Sequence, residues 1–184
     1  MNLPNNISVF RIFLVPVFVT LLVYYSPERS YLREISVAVF LVACLTDAVD
    51  GYLARKLNQI TPIGTYIDPI ADKLLLLSGF LSLSFIRNLP ESMHIPAWVT
   101  IPVIARDVVI LIGSTMIFIT TGNLKAEPLL IGKATTLMQM LTVLICLVPA
   151  PPSFQLPAFF ATVLLTVISG IQYIRVGGRL VQSS

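Results

Sequence analysis

Apolar residues fall into six runs along the chain, at about 7–25, 33–55, 65–87, 95–120, 129–149 and 154–174. Short polar segments punctuate them: SPERS, RKLNQITP, RNLPESMH, TGNLKAEP and PAPPS. Each run is near the roughly 20 residues that an α-helix needs to cross a bilayer. The pattern predicts an all-α fold, an integral membrane bundle of six transmembrane helices forming a single domain over residues 1–184. The first run follows Arg11 with no Lys/Arg-rich leader and no small-residue cleavage site, so it reads as a retained first span.

Composition strengthens this reading through what is missing. Only 11% of the 184 residues are charged while 56% are hydrophobic, and mean hydropathy is +0.89. A water-facing domain carries about a quarter charged residues. The net charge of +3 is dispersed, with no basic run or basic helix, which argues against a nucleic-acid partner. Cys44 and Cys146 lie inside apolar runs without metal-ligand spacing, and read as buried reduced thiols.

Basic residues orient the spans. Six spans place both termini and the second and fourth loops on one side, with Arg11, Arg55, Lys56, Lys125, Lys133, Arg175 and Arg179. The other side holds Arg29, Arg33 and Arg87, with Glu28, Glu34 and Glu91 close by. The positive-inside rule therefore puts both termini in the cytoplasm. The short loops suggest a prokaryotic cytoplasmic membrane.

One stretch does not suit a lipid-facing chain. DAVDGYLARKLNQITPIGTYIDPIAD, residues 47–72, carries four aspartates between two apolar runs. About twelve apolar residues precede Asp47, roughly 18 Å of helix against a hydrocarbon core of roughly 30 Å. Asp47 and Asp50 then fall inside the cytoplasmic half of the membrane, and Asp68 and Asp72 return at similar depth. The spacings i,i+3 and i,i+4 each put two side chains on one helix face, and Gly51 and Ala54 extend the first face as a floor of small residues.

Ionised carboxylates at this depth cost several kcal/mol each unless paired or metal-bound. Arg55, Lys56 and Lys73 are too few and too near the water to neutralise them. Two divalent cations would, and hard carboxylate oxygens suit Mg²⁺, Mn²⁺ or Ca²⁺, with Mg²⁺ or Mn²⁺ the expected pair. Paired metals can clamp both oxygens of a phosphoryl displacement. A site open to the cytoplasm and walled by lipid suits a substrate that is half phosphate and half lipid. Two other readings compete: helix-capping acids, with Asp68 as N-cap before Pro69, and a cation or proton transport path.

The order of residues separates these readings. Asp47-x₂-Asp50-Gly51-x₂-Ala54-Arg55-x₈-Gly64-x₃-Asp68-x₃-Asp72 resembles, at every position, the signature of the CDP-alcohol phosphatidyltransferase family. The opening NLPNNISVFR is similar to that family's amino-terminal segment. ARDVV and IGKATTLMQM resemble the fourth and fifth spans of its glycerol-phosphate-using members. The resemblance implies a six-helix membrane enzyme, commonly a homodimer, with a cytoplasm-facing active-site cavity. It would move a phosphatidyl group from CDP-diacylglycerol to an alcohol and release CMP. By the same resemblance, Asp47, Asp50, Asp68 and Asp72 hold two divalent cations on the diphosphate, and Asp72 is the base for the acceptor hydroxyl. Gly51, Ala54 and Gly64 admit the nucleotide, Arg55 contacts its phosphates, and Asn5, Ser8 and Arg11 close the cavity.

The acceptor rests on other residues. Arg106 and Asp107 lie about eleven residues into the fourth run, which reads either as a buried ion pair or as an anchor for an acceptor phosphate, assisted by Lys133 and Arg11. Members using glycerol 3-phosphate typically carry Arg-Glu here and a second Arg eight positions on; this chain has Asp107 and Ser114 instead. The Arg-Asp form is similar to members that use phosphatidylglycerol. The eight-residue gap between Arg55 and Gly64 fits the glycerol-phosphate users better, and sn-glycerol 3-phosphate is the expected acceptor, giving phosphatidylglycerophosphate.

Overall fold

A computed structural model describes residues 3–56, 62–121, 130–148 and 150–182; within these, the side chains of 3–8, 47–56, 62–72, 116–121, 152 and 177–182 lie outside the description. Among the described residues there are six α-helices and no strand: α1 Leu3–Val23, α2 Tyr31–Lys56, α3 Pro62–Phe85, α4 Ala97–Thr121, α5 Leu130–Leu147 and α6 Pro152–Gln182. Each coincides with one apolar run, as expected. Three segments are long and apolar enough to cross a membrane, Glu91–Thr115, Leu130–Leu147 and Ser153–Val176. Val9–Val23 and Lys73–Phe85 are shorter apolar stretches.

Helix ends follow local chemistry. α1 stops at Val23 because Ser26 precedes Pro27, and the proline ring disfavours helical backbone there; Ser26 is extended, with φ −145° and ψ 158°. The exposed carbonyls at this end are taken by Asn88, whose side-chain amide donates to Val23 O at 2.9 Å and Tyr25 O at 2.8 Å. α3 starts at Pro62, earlier than its apolar run, because proline at the first helical position loses nothing by lacking an N–H. Asp68 is therefore inside α3, and the helix-cap reading of that residue fails. α6 extends to Gln182, beyond the apolar run that ends near residue 174. Hydropathy marks the length of chain that suits lipid, and the helix simply continues past it.

The chain forms two compact units. The first comprises Met1–His94 and Val143–Ala150. Here α1 packs against both α2 and α3. Phe18, Leu22, Phe40, Ala43, Phe80 and Leu83 are buried at its centre, and the Phe18 and Phe40 rings stand 5.7 Å apart. Gly79 admits the end of α5: a Cβ there would stand 3.3 Å from Val143 Cγ1. Arg33 Nε donates to Leu147 O, placing a cation on the carbonyl end of α5, where the helix dipole favours it.

The second unit comprises Ile95–Thr142 and Pro151–Ser184. α4 and α6 run parallel, since their contacts advance along both helices together. Trp98 meets Phe159 and Phe160 with ring centroids at 6.3 and 5.2 Å, Arg106 meets Ser169, and the Gly113 position meets Tyr173. α5 runs antiparallel to α6, since Thr142 pairs with Thr162 while Thr135 meets Leu165. This seam is polar. Thr135, Gln139 and Thr142 on α5, and Thr162, Thr166 and Ser169 on α6, are all buried, each set at the i, i+4, i+7 spacing of one helix face. Hydroxyls and small side chains of this kind join helices in lipid, where apolar surface gives no preference for protein over solvent.

The 2.6 Å bond between Thr142 Oγ1 and Thr162 Oγ1 is the seam's clearest joint. Thr142→Val is expected to destabilise the protein by about 0.6 kcal/mol, and by no more than about 1.7 kcal/mol. In a double-mutant cycle with Thr162→Val, read from unfolding in detergent, the two losses should be less than additive.

Candidate active site

The backbone carries the aspartate motif on two helices of the first unit. Asp47, Asp50, Gly51, Ala54 and Arg55 lie in the last turns of α2; Gly64, Asp68 and Asp72 lie in the first turns of α3. The helical spacings assumed for both aspartate pairs therefore hold: Asp47 and Asp50 are about 4.5 Å apart along the axis, and Asp68 and Asp72 about 6 Å. Their side chains fall among residues 47–72, outside those described. Asn5 and Ser8 lie in the first turns of α1, also outside the described side chains.

Among the described residues no three His, Cys, Asp or Glu side chains gather into a metal-holding group. The candidate ligands are the four aspartates, whose hard oxygen donors match Mg²⁺ or Mn²⁺ rather than a softer ion. Cys146 is buried as expected, Cys44 is only half-buried, and neither is in a disulfide.

Arg11, on α1 in the first unit, is fully buried. Arg106, in the second unit, is 8% exposed, and its seat can be described atom by atom. Nη1 donates to Asp107 Oδ1 at 2.8 Å, so the adjacent acid is its counter-ion. Nη2 donates to Ser169 Oγ at 2.6 Å, across to α6. Nε is buried without a hydrogen-bond partner. Two glycines frame the side chain: a Cβ on Gly132 would lie 3.5 Å from Nη2, and one on Gly170 would lie 3.5 Å from Cγ. A methyl would just touch there; a longer side chain would press on the guanidinium from Gly132 and on the aliphatic stem from Gly170.

The guanidinium lies level with Gly132 in the first described turn of α5 and with Ser169, seven residues before Val176, where the apolar stretch of α6 ends. α4 has 25 residues against 18 for α5 and passes its neighbour's first turn at mid-length. Lys133 directly follows Gly132 and is exposed. Ser114 cannot replace the second arginine of the glycerol-phosphate users. Its hydroxyl donates to Leu111 O of its own helix at 3.0 Å, and it carries no charge.

Ser169, Gly132 and Gly170 were not singled out by the sequence pattern. A buried arginine requires partners and room, but no local motif states which serine or glycine of a distant helix supplies them.

Residues 1–171 match the CDP-alcohol phosphatidyltransferase family, and the chain belongs to it. Among its relatives, a probable phosphatidylglycerophosphate synthase of Mycobacterium tuberculosis is 33% identical over 177 residues, covering 94% of this chain and 80% of that protein. The CDP-diacylglycerol–glycerol-3-phosphate 3-phosphatidyltransferase of Bacillus subtilis is 34% identical over 188 residues, covering 94% and 93%. The enzyme of the same name from Salmonella paratyphi A is 32% identical over 180 residues, with the same coverage.

With side-chain exposures of 7% and 15%, Arg106 and Asp107 form a pair that is costly to break from one side. Asp107→Asn should destabilise the protein by about 3 kcal/mol, because it leaves a buried guanidinium without its counter-charge. Asp107→Glu, which restores the acid typical of the glycerol-phosphate users, should lose less in the same thermal-unfolding measurement.

Proposed function

We propose that this chain transfers the phosphatidyl group of CDP-diacylglycerol to sn-glycerol 3-phosphate, giving phosphatidylglycerophosphate and CMP. The observation that carries the reading is the complete family motif from Asp47 to Asp72, borne on the adjoining ends of two helices in one unit. Relatives named for this reaction match across 94% of the chain. A transporter built on the same acids has no need of Gly51, Ala54 and Gly64 at fixed offsets.

Asp47, Asp50, Asp68 and Asp72 would hold two divalent cations, Mg²⁺ or Mn²⁺. When bound, these supply charge neutralisation at the diphosphate and at the departing CMP. Gly51, Ala54 and Gly64 leave room for the nucleotide, Arg55 meets its phosphates, and Asn5 and Ser8 close over it. Asp72 takes the proton from the acceptor's primary hydroxyl. The freed oxygen attacks the phosphorus that carries diacylglycerol, and the bond from that phosphorus to the CMP oxygen breaks. Orientation of the acceptor accounts for much of the rate, since two bound reactants aligned in place avoid the entropy of encounter. Arg106, with Lys133 and Arg11, holds the acceptor phosphate. With Ser114 uncharged, Arg106 carries more of that task than one member of an arginine pair would.

The setting proposed is a prokaryotic cytoplasmic membrane. Six helices of 18 to 31 residues, roughly 27–46 Å long, are each long enough to reach across or nearly across it. Both termini and the active-site cavity face the cytoplasm, residues 1–184 act as one catalytic domain, and the protein works as a homodimer.

Purified protein given Mg²⁺ and CDP-diacylglycerol should release CMP when offered glycerol 3-phosphate, and not with inositol phosphate or serine. Release only with phosphatidylglycerol would replace the acceptor and keep the reaction class; cation flux in proteoliposomes without nucleotide lipid would replace the class. Asp72→Asn should abolish CMP release, a loss of at least about a hundredfold for a general base, in a bundle that unfolds as the parent does. Near-normal turnover in that variant would remove Asp72 as the base.

A further inference from the structure

We infer that Ser169 is a positioning residue for the acceptor: through its bond to Arg106 Nη2 it sets the guanidinium that receives the acceptor's phosphate. The inference rests on the proposed role of Arg106 as phosphate anchor.

Two fixed points orient the guanidinium, and they differ in kind. Asp107 Oδ1 on Nη1 is charged and cancels part of the cation's field. Ser169 Oγ on Nη2 is neutral, so it fixes direction without weakening attraction for an anion. Ser169 is 2% exposed and belongs to the same buried face of α6 as Thr162 and Thr166, so its own position is set by the helix seam. Gly170 and Gly132 keep the channel for the side chain open on both flanks. A guanidinium has five N–H donors, and the two bonds to Asp107 and Ser169 leave donors over, including the buried Nε. A phosphate then meets a cation whose plane is already set, and little rotamer entropy is lost on binding. Eight residues after Arg106 stands Ser114, which carries no charge, so the orientation of Arg106 matters more.

The test is steady-state kinetics with Mg²⁺, CDP-diacylglycerol and glycerol 3-phosphate. Ser169→Ala should raise KM for glycerol 3-phosphate about five- to tenfold, the worth of one hydrogen bond to a charged group, with kcat and KM for CDP-diacylglycerol within about twofold. Ser169→Thr, which keeps the hydroxyl, should restore much of the acceptor KM. Ser169→Cys, close in volume but a weak acceptor, should behave like Ser169→Ala, and it serves if the smaller residue does not fold. A fall in kcat alone, or an equal rise in both KM values, would mean a merely structural role and overturn the inference. An unchanged acceptor KM in Ser169→Ala and Ser169→Cys, alongside a raised one in Arg106→Lys, would overturn it and leave the anchor standing. If Arg106→Lys itself leaves the acceptor KM unchanged, the anchor reading falls and this inference with it.

Discussion

A polar atom inside an apolar bundle has to find its partner within the protein, because lipid offers none. Several side chains of the second unit meet that constraint, while Gln139, Thr166 and Tyr173 keep buried polar atoms without a hydrogen-bond partner. Backbone groups are satisfied by helix, which is why six apolar runs become six helices. Thr135 meets the carbonyls of Ile131 and Leu165, at 2.7 and 3.2 Å. Thr142 turns to Thr162, and Arg106 to Asp107 and Ser169. The seam between α5 and α6 and the seat of the guanidinium are two parts of one arrangement: Ser169 ends the row of hydroxyls that begins at Thr162.

The same constraint separates the two kinds of charge in the chain. The four acids of α2 and α3 are the proposed ligands of two divalent cations, drawn from outside the protein. Arg106 needs none, since its counter-ion is the next residue. What it keeps in reserve is donor capacity, and that suits a ligand which arrives, is held and departs. A structural ion pair would do better with every donor used, because an unpaired buried N–H costs stability.

Much of this was legible in the chain itself, and the remainder fails for definable reasons. Hydropathy located all six helices, since each must present apolar surface along its length. It misplaced the ends that hydropathy does not control: α3 begins at Pro62 for backbone reasons, and α6 runs on through Arg175 as an ordinary helix. The motif from Asp47 to Asp72 was readable because its members lie within 26 residues and two turns of helix bring each pair to one face. Arg106 was visible as a charge in an apolar run. Ser169 was not, because its pairing with Arg106 depends on the register between two helices sixty-three residues apart, and no local spacing encodes that.

That register between α4 and α6 is held at three heights. Trp98 lies against Phe159 and Phe160, Arg106 against Ser169, and the space above Gly113 is so close to Tyr173 that a Cβ would stand 3.2 Å from its ring. Sliding one helix past the other would break all three contacts at once, so the axial register of the pair, and with it the height of the guanidinium, is fixed.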